Sequence, residues 1–290
     1  MPAETSLPSP WLKSTEWLAE NLTRPDVVVV DGSFYLPTQK RDPEKEYLES
    51  HIPGAVFFDI DKVADHSTDL PHMLPGPTIF QEAVEALGIG KNDTIVVYDG
   101  AGLLAAPRVW WTFRIFGAPN VFILDGGLPK WKAENRPLES GPVKREKRSF
   151  AAQMQTGAVA SVDDVQLALT TGDKQVVDAR SADRFRGEAP EPRPGLKSGH
   201  MPGALNVPYG DLLENGRLAP VDKLRQVFEA GGVDLDKDVI TSCGSGVSAA
   251  VLWLALDALG RPPAMLYDGS WTEWASRPDL PIASGPAKKA

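Results

Sequence analysis

Hydrophobic positions along this chain fall into short runs, and polar stretches that contain glycine or proline separate the runs from one another. Four valines occupy 27–30, and the runs at 95–97, 176–177 and 239–240 consist of valine and isoleucine only. Such β-branched runs predict short, buried strands. The longer apolar segment 247–259 predicts a helix that is buried on nearly all of its faces. Strands that alternate with helices in this way predict an α/β fold, with a mainly parallel sheet flanked by helices.

The pattern occurs twice along the chain, as in an internal duplication. A serine precedes a predicted helix at Ser14 and again at Ser161, where Asp164 completes the spacing of a capping box. A valine-containing strand then ends in an aspartate, at Asp31 in one copy and at Asp178 in the other. The chain is therefore expected to form two α/β domains in tandem.

The remaining parts of the two copies also correspond. The matching segments are 50–55 with 199–204, 94–102 with 238–246, and 122–131 with 264–274. In the second pair, Asp99 of the first copy stands where the second copy has Cys243. Because an ionised carboxylate is only a hydrogen-bond acceptor, the first loop is predicted to be catalytically silent.

A polar segment between the two copies predicts the domain boundary. Residues 139–160 show no clear apolar period and include the basic run 144–148, so they are expected to form a solvated linker. The predicted domains are accordingly 1–138 and 161–290.

Composition limits the classes of partner. A net charge of -9 argues against nucleic acid and against an anionic membrane as partners, and no apolar run approaches the ~20 residues of a membrane span. One cysteine excludes an internal disulfide and predicts a reducing compartment, with the cytoplasm as the expected location. The cysteine and the four histidines lack the spacing of metal ligands, so neither a metal nor another cofactor is expected.

The lone cysteine lies in the most informative stretch of the chain. Cys243 follows a predicted strand and precedes a predicted helix, with Gly244 and Gly246 in the short loop between them. Backbone N–H groups of such a loop point inward and, with the helix dipole, stabilise an anion. Cys243 is therefore predicted to be a nucleophilic thiolate, the alternative being a buried structural cysteine.

These residues resemble the tandem-domain rhodanese family over nearly the whole chain, and the loop at Cys243 is similar to that of the 3-mercaptopyruvate sulfurtransferases within it. The segments that carry the resemblance are 184–187, 191–193, 199–204, 243–249 and 267–274. One departure is Ser248, where the family usually has threonine. The resemblance implies two rhodanese-like domains and a sulfurtransferase activity. In this reaction the Cys243 thiolate takes sulfur from 3-mercaptopyruvate, pyruvate leaves, and the persulfide passes its outer sulfur to cyanide, a thiol or a thioredoxin-like protein.

The same resemblance implies roles for individual residues. Arg184 and Arg193 are expected to bind the donor carboxylate, together with the loop residues Gly244, Gly246, Val247 and Ser248. Ser245, His72 and Asp61 match a set that handles the substrate proton in some members of the family. A histidine that only packs between the domains is the alternative for His72.

Three other functions remain open from the residues. The loop carries no cation at Gly244 or Ser245, which favours 3-mercaptopyruvate over the doubly charged thiosulfate, the runner-up donor. A cysteine phosphatase needs an arginine at the sixth position after the cysteine, and that position is Ala249. A sensor or adaptor without enzymatic activity would need no nucleophile, so the retained Cys243 argues against it.

Overall fold

The structure is a computed structural model that describes residues 7–263 and 265–287. The predicted outer limits at residues 1 and 290 lie outside the described residues, and so does Ala264, the first residue of the matched segment 264–274.

The described part of the first domain alternates strands and helices, as the pattern predicts. Its strands are β1 (Leu12–Lys13), β2 (Val27–Asp31), β3 (Val56–Phe57), β4 (Thr94–Tyr98) and β5 (Val121–Leu124). Its helices are α1 (Thr15–Asn21), α2 (Pro43–Glu49), α3 (Pro77–Ala86), α4 (Ala106–Ile115) and α5 (Gly127–Ala133).

The described part of the second domain contains the same elements and one additional hairpin. Its strands are β6 (Val159–Ala160), β7 (Gln175–Asp178), β8 (Leu205–Asn206), β9 (Leu213–Glu214), β10 (Arg217–Leu218), β11 (Val239–Ser242) and β12 (Met265–Tyr267). Its helices are α6 (Val162–Thr171), α7 (Ala182–Arg186), α8 (Val221–Ala230), α9 (Ala249–Ala258) and α10 (Ser270–Ser276).

The two main sheets have one topology. Their strand orders are β1-β5-β4-β2-β3 and β6-β12-β11-β7-β8, which pair each strand of the first domain with its counterpart in the second. Every strand pair in these two sheets is parallel, whereas β9 and β10 form an antiparallel hairpin. The fold is therefore the predicted pair of α/β domains.

Local signals in the sequence explain where the elements begin. The side chain of Ser14 accepts a hydrogen bond from the amide of Trp17 and caps α1. Ser161 caps α6 with a complete capping box to Asp164, as the spacing predicts. The helix predicted over 247–259 begins two residues later, because the residues before Ala249 belong to the loop that carries Cys243.

The segment predicted as a linker is attached to both domains. Phe150 is fully buried and packs against Phe80, with ring centroids 5.5 Å apart, so the middle of the segment covers the first core. Its basic run also makes contacts, since Arg148 forms an ion pair with the buried Asp93. The last two residues, Val159–Ala160, form the edge strand β6 of the second sheet. The domain limits themselves stay a prediction.

The two domains share a hydrophobic interface. Helices α4 and α9 pack against each other, and both are buried on nearly all faces. Across the interface the rings of Trp111 and Trp253 lie 6.0 Å apart. The longest helices among the described residues have ten residues, and none of them has the length and apolar character to cross a membrane.

Candidate active site

Cys243 lies at the carboxyl end of β11, in the loop that leads to α9. Only 2% of the residue is exposed to solvent, and it lines a cavity of about 280 Å³ between the two domains. The second domain supplies the cysteine loop, Tyr209 and three arginines to this cavity. The first domain supplies an apolar wall, formed by Phe34, Leu36 and Leu104. The thiol therefore faces a partly open cavity, to which the second domain contributes cations and the first domain contributes hydrocarbon.

The loop is held in shape by a buried serine on the neighbouring turn. The hydroxyl of Ser270 accepts hydrogen bonds from the amides of Cys243 and Gly246, each at 3.1 Å, and donates one to the carbonyl of Tyr267 at 2.7 Å. Ser270 has a left-handed backbone, with φ of 51°, which is unusual for a residue with a side chain. The expectation that the loop amides point inward is therefore wrong for two of them.

The silent loop of the first domain shows what the remaining amides can bind. Asp99 is the counterpart of Cys243, because Tyr98 pairs with Asp31 in the first sheet as Ser242 pairs with Asp178 in the second.

The Asp99 carboxylate accepts hydrogen bonds, all of 2.8 Å, from the amides of Ala101, Leu104, Ala105 and Ala106. In the cysteine loop the counterparts of the first three are Ser245, Ser248 and Ala249. Within the described residues their amides have no hydrogen-bond acceptor. The cysteine loop thus retains donors that in its copy surround an anion.

A chain of three side chains crosses the domain interface to the loop. Ser245 Oγ lies 2.9 Å from Nε2 of His72, and Nδ1 of the same ring lies 2.6 Å from Oδ1 of Asp61. His72 and Asp61 belong to the first domain, whereas Ser245 belongs to the second. The structure thus brings together the three residues that the resemblance assigns to proton handling.

The surroundings of His72 and Asp61 determine the charges of these two side chains. Burial lowers the pKa of His72 below its usual value of 6.5, despite the neighbouring Asp61. The hydrogen bond from His72 lowers the pKa of Asp61 below its usual value of 3.8. The stable state at neutral pH is therefore a neutral imidazole that donates from Nδ1 to an ionised carboxylate. Its Nε2 carries no proton in this state and can accept the proton of the Ser245 hydroxyl.

Both predicted substrate-binding arginines line the cavity. Arg193 Nη2 lies 3.3 Å from Nε2 of His72, and burial lowers the pKa of Arg193 while charge on Cys243 and Asp61 acts in the opposite direction. Arg184 lies over the loop, since a methyl group placed on Gly244 would lie 3.1 Å from its Nη2 atom. The two guanidinium groups therefore border the space above the cysteine.

Arg184 is oriented by a buried carboxylate that the sequence analysis did not assign. Glu191 accepts from Nη2 of Arg184 at 2.5 Å and from Nη1 of Arg180 at 2.8 Å. Arg180 is itself buried and bonded to Asp178 at the end of β7. Glu191 belongs to the segment that carries the family resemblance, which was the only sequence signal for it.

The other predicted residues divide into two groups. Val247 and Ser248 line the cavity together with Gly244 and Ser245. Gly246 is not among the described residues that line it, because its amide faces Ser270 and its carbonyl accepts from Arg108. The described residues include no group of three or more histidine, cysteine or carboxylate side chains that could hold a metal ion.

A buried arginine of the first domain reaches the cysteine loop and was not predicted. Arg108 of α4 forms an ion pair with Asp268, with Nη1 and Oδ1 separated by 2.5 Å. The same guanidinium donates to the carbonyl oxygens of Gly246 at 3.2 Å and of His72 at 2.9 Å. An arginine flanked by apolar residues at the start of the helix was the only signal in the sequence that could have indicated a buried partner.

Comparison with known proteins agrees with this architecture. The family model for the rhodanese-like domain matches twice, at residues 14–134 and 161–277. The chain is 46% identical to the 3-mercaptopyruvate sulfurtransferase of Escherichia coli over 273 residues, which is 94% of this chain and 97% of that protein. It is 42% identical to the mitochondrial thiosulfate/3-mercaptopyruvate sulfurtransferase 1 of Arabidopsis thaliana, over 93% of this chain and 77% of that one.

A solved structure gives the same result. The crystal structure of the 3-mercaptopyruvate sulfotransferase SseA from Escherichia coli superposes with a TM-score of 0.84 at 44% sequence identity, over 90% of this chain and 98% of that one. The tandem copies, their shared topology and these matches together establish that the chain belongs to the rhodanese family, with two rhodanese-like domains.

Proposed function

We propose that this protein is a 3-mercaptopyruvate sulfurtransferase, which moves sulfur through a persulfide on Cys243 to a thiophilic acceptor and releases pyruvate. The observation that carries the proposal is the content of one cavity. It combines the only thiol of the chain, three guanidinium groups, and a serine hydroxyl bonded to a neutral histidine. These groups match a small donor with one carboxylate and one thiol.

Binding of the donor uses the cationic side of the cavity. A carboxylate forms its strongest hydrogen bonds with guanidinium groups, which offer paired donors in a plane. Glu191 occupies one edge of the Arg184 guanidinium, which leaves the other edge to face the cavity. With the carboxylate between Arg184 and Arg193, the methylene and thiol of the donor extend toward Cys243 and the apolar wall.

Sulfur transfer then proceeds by nucleophilic attack. The Cys243 thiolate attacks the donor sulfur, an S–S bond forms, and the C–S bond of the donor breaks. The electron pair of the broken bond stays on the departing carbon as the enolate of pyruvate. Through the Ser245 hydroxyl, His72 takes the proton of the donor thiol at Nε2 and then returns it to the methylene carbon of the enolate, which gives pyruvate and restores the neutral imidazole. Asp61 holds the imidazole in the tautomer that this step needs.

The persulfide is stabilised by the loop. Its outer sulfur carries negative charge, and the amides of Ser245, Ser248 and Ala249 are the donors available to it. The Asp99 carboxylate, which accepts hydrogen bonds from the corresponding amides of the first domain, supports this assignment.

An acceptor nucleophile then attacks the outer sulfur and regenerates the Cys243 thiolate. Cyanide, a small thiol and a thioredoxin-like protein all have the chemistry for this step, and the lone cysteine supports a reducing compartment such as the cytoplasm.

Thiosulfate is the alternative donor, which the name of the Arabidopsis relative includes. The loop residues next to the cysteine, Gly244 and Ser245, carry no cation for a second negative charge. Steady-state kinetics with both donors and cyanide test this preference. We expect the larger kcat/KM with 3-mercaptopyruvate, and a larger value with thiosulfate would reverse the assignment.

Intact-protein mass spectrometry tests the persulfide. After incubation with 3-mercaptopyruvate and removal of excess donor, the wild type should gain one sulfur atom, which cyanide then removes. The matched control is Cys243→Ser. This variant contains no thiol and should gain no sulfur. A wild type that gains no sulfur would favour a binding protein without enzymatic activity.

A further inference from the structure

One ion pair joins the two domains directly behind the cysteine loop. Arg108 and Asp268 are 2% and 3% exposed, and they come from different domains. A buried guanidinium must satisfy its donors within the protein, because no water is available to do so. Arg108 does this with three partners, namely the Asp268 carboxylate and the carbonyl oxygens of Gly246 and His72.

These partners belong to the two segments that must meet for proton transfer. Gly246 follows Ser245 in the chain, and the ring of His72 is hydrogen-bonded to the Ser245 hydroxyl. One rigid, planar group therefore contacts the backbone beside the proton donor and the backbone of the acceptor. The 2.9 Å distance between Ser245 Oγ and His72 Nε2 spans the domain interface, so it depends on how these two backbones are held.

The backbone of His72 needs such support. Its φ of 43° lies in the left-handed region, which a residue with a side chain adopts only when its surroundings impose it. Two backbone contacts, at this residue and two positions after it, come from the same ion pair. The His72 carbonyl accepts from Arg108 Nη2, and the amide of Leu74 donates to Oδ2 of Asp268 at 2.7 Å.

We propose that Arg108, with Asp268 as its counter-ion, is a positioning residue that sets the Ser245–His72 distance across the domain interface. This inference rests on the proposed function, because it assigns Arg108 to the proton-handling step of that reaction. Arg108 touches neither the cavity nor the sulfur in this arrangement, and it acts through His72. Replacement of its planar guanidinium group should therefore slow the reaction by no more than the loss of His72 itself would.

Arg108→Lys tests the proposal. Lysine keeps the positive charge beside Asp268, but its single ammonium group cannot reproduce the planar contacts to both carbonyls. We expect kcat/KM with 3-mercaptopyruvate to fall by about 10- to 100-fold, since misplacement of a reacting group by ~1 Å has an effect of this size. In a His72→Gln background, the same substitution should lower kcat/KM by less than about threefold, because a positioning effect is lost with its target.

The matched control lies on the same helix. Arg114 of α4 also faces a carboxylate of the second domain, Asp257 at 3.9 Å, but it is stacked on Trp11 away from the cysteine loop. Arg114→Lys should leave kcat/KM unchanged within about twofold in both backgrounds.

If Arg108→Lys does not fold, Asp268→Asn tests the same proposal through the other member of the ion pair. Its side-chain oxygen can still accept from Leu74, while the charge that holds Arg108 is gone.

The outcomes separate this inference from the proposed function. A wild type that takes up no sulfur from 3-mercaptopyruvate overturns the function. A wild type that takes up sulfur, with full and equal losses from Arg108→Lys in both backgrounds, overturns only the positioning role. Unchanged activity in Arg108→Lys overturns that role as well. A loss confined to the background that retains His72 supports it.

Discussion

The carboxylate of Asp99 and the thiol of Cys243 occupy the same position in two copies of one loop. In the first copy, four backbone amides donate to the carboxylate. The counterparts of three of them in the second copy, the amides of Ser245, Ser248 and Ala249, have no acceptor among the described residues. The first copy therefore pairs its loop amides with a side-chain carboxylate, and in the proposed function the second copy offers the corresponding amides to the persulfide. The proposed function uses these amides in the second copy only.

Asp99→Asn should destabilise the protein without slowing it. Both oxygens of the Asp99 carboxylate accept hydrogen bonds from backbone N–H groups, so in either orientation of the asparagine its NH₂ group faces at least one N–H donor. A buried backbone N–H that loses its acceptor in this way costs about 1–3 kcal/mol of stability. We expect a loss of this size in urea unfolding, with kcat/KM within about twofold of the wild type. Asp65→Asn, at an exposed turn, is the control and should change little. A lower kcat/KM at unchanged stability would contradict the silent role.

Asp61→Asn should reduce activity by a different route. Asparagine cannot keep the negative charge that holds Nδ1–H of His72, so the neutral tautomer with Nε2 free is less populated. We expect kcat/KM with 3-mercaptopyruvate to fall by about 10- to 100-fold, within the range of general acid–base contributions. Asp59→Asn is the matched control, because Asp59 caps the same turn through Asp61 and Lys62 without touching His72. Equal losses in both variants would argue against the relay.

Activity and stability should both decrease toward acid pH. Burial lowers the pKa of His72, so the unfolded chain binds more protons than the folded protein between 6.5 and the lower folded value. The contribution of His72 to stability is thus fully present above pH 6.5 and is lost as the pH falls through the folded pKa. Below that pKa a proton on Nε2 also blocks acceptance from Ser245.

Two measurements check this dependence. The acid limb of kcat/KM should lie below pH 6.5, and the free energy of unfolding should fall from pH 7 to pH 5. In His72→Gln the fall in stability should be shallower, while the contribution of His200, whose pKa is also lowered by burial, remains in both proteins. Parallel stability curves for the two proteins would show that His72 does not titrate in this way.

The backbone conformation of Ser270 predicts which of two substitutions at this position is the less stable. Ser270→Ala removes the acceptor for the amides of Cys243 and Gly246 and keeps a Cβ at a φ of 51°. Ser270→Gly also loses the hydroxyl but fits the left-handed backbone, as Gly127 does at the corresponding position with a φ of 53°.

Both variants should take up sulfur more slowly, and alanine should be the less stable by about 1 kcal/mol in urea unfolding. Rates of persulfide formation measured by rapid quench and mass spectrometry check the first part. Wild-type rates in both variants would show that the loop holds its shape without Ser270.

Much of this arrangement follows from local sequence. The valine runs predict the central strands, the serine caps predict two helix starts, and the single cysteine between glycines identifies the loop. Fully buried strands read as continuous apolar runs because helices cover both faces of a parallel sheet. The tandem copies predict the common topology before any contact is known.

The rest depends on tertiary contacts that local pattern does not contain. Arg108 stands in a helix whose apolar residues give no indication of which turn faces the other domain. Nothing in the residue type of Ser270 predicts a left-handed backbone, since neighbouring contacts impose it. Phe150 was missed because the apolar residues of the segment 139–160 follow no clear period. The roles of His72 and Asp61 came only from the family resemblance, as 173 positions separate His72 from Ser245.

In the proposed mechanism, the proton acceptor His72 and its positioning residue Arg108 lie in one domain, and the sulfur carrier Cys243 lies in the other. Fission of the gene between the duplicated halves would therefore leave neither product able to complete the cycle unless the two associated again. Recombination that replaced one half with a distant relative would meet the same obstacle at the Arg108–Asp268 seam. Under the proposed function, selection would have to maintain the two halves of the gene as a unit.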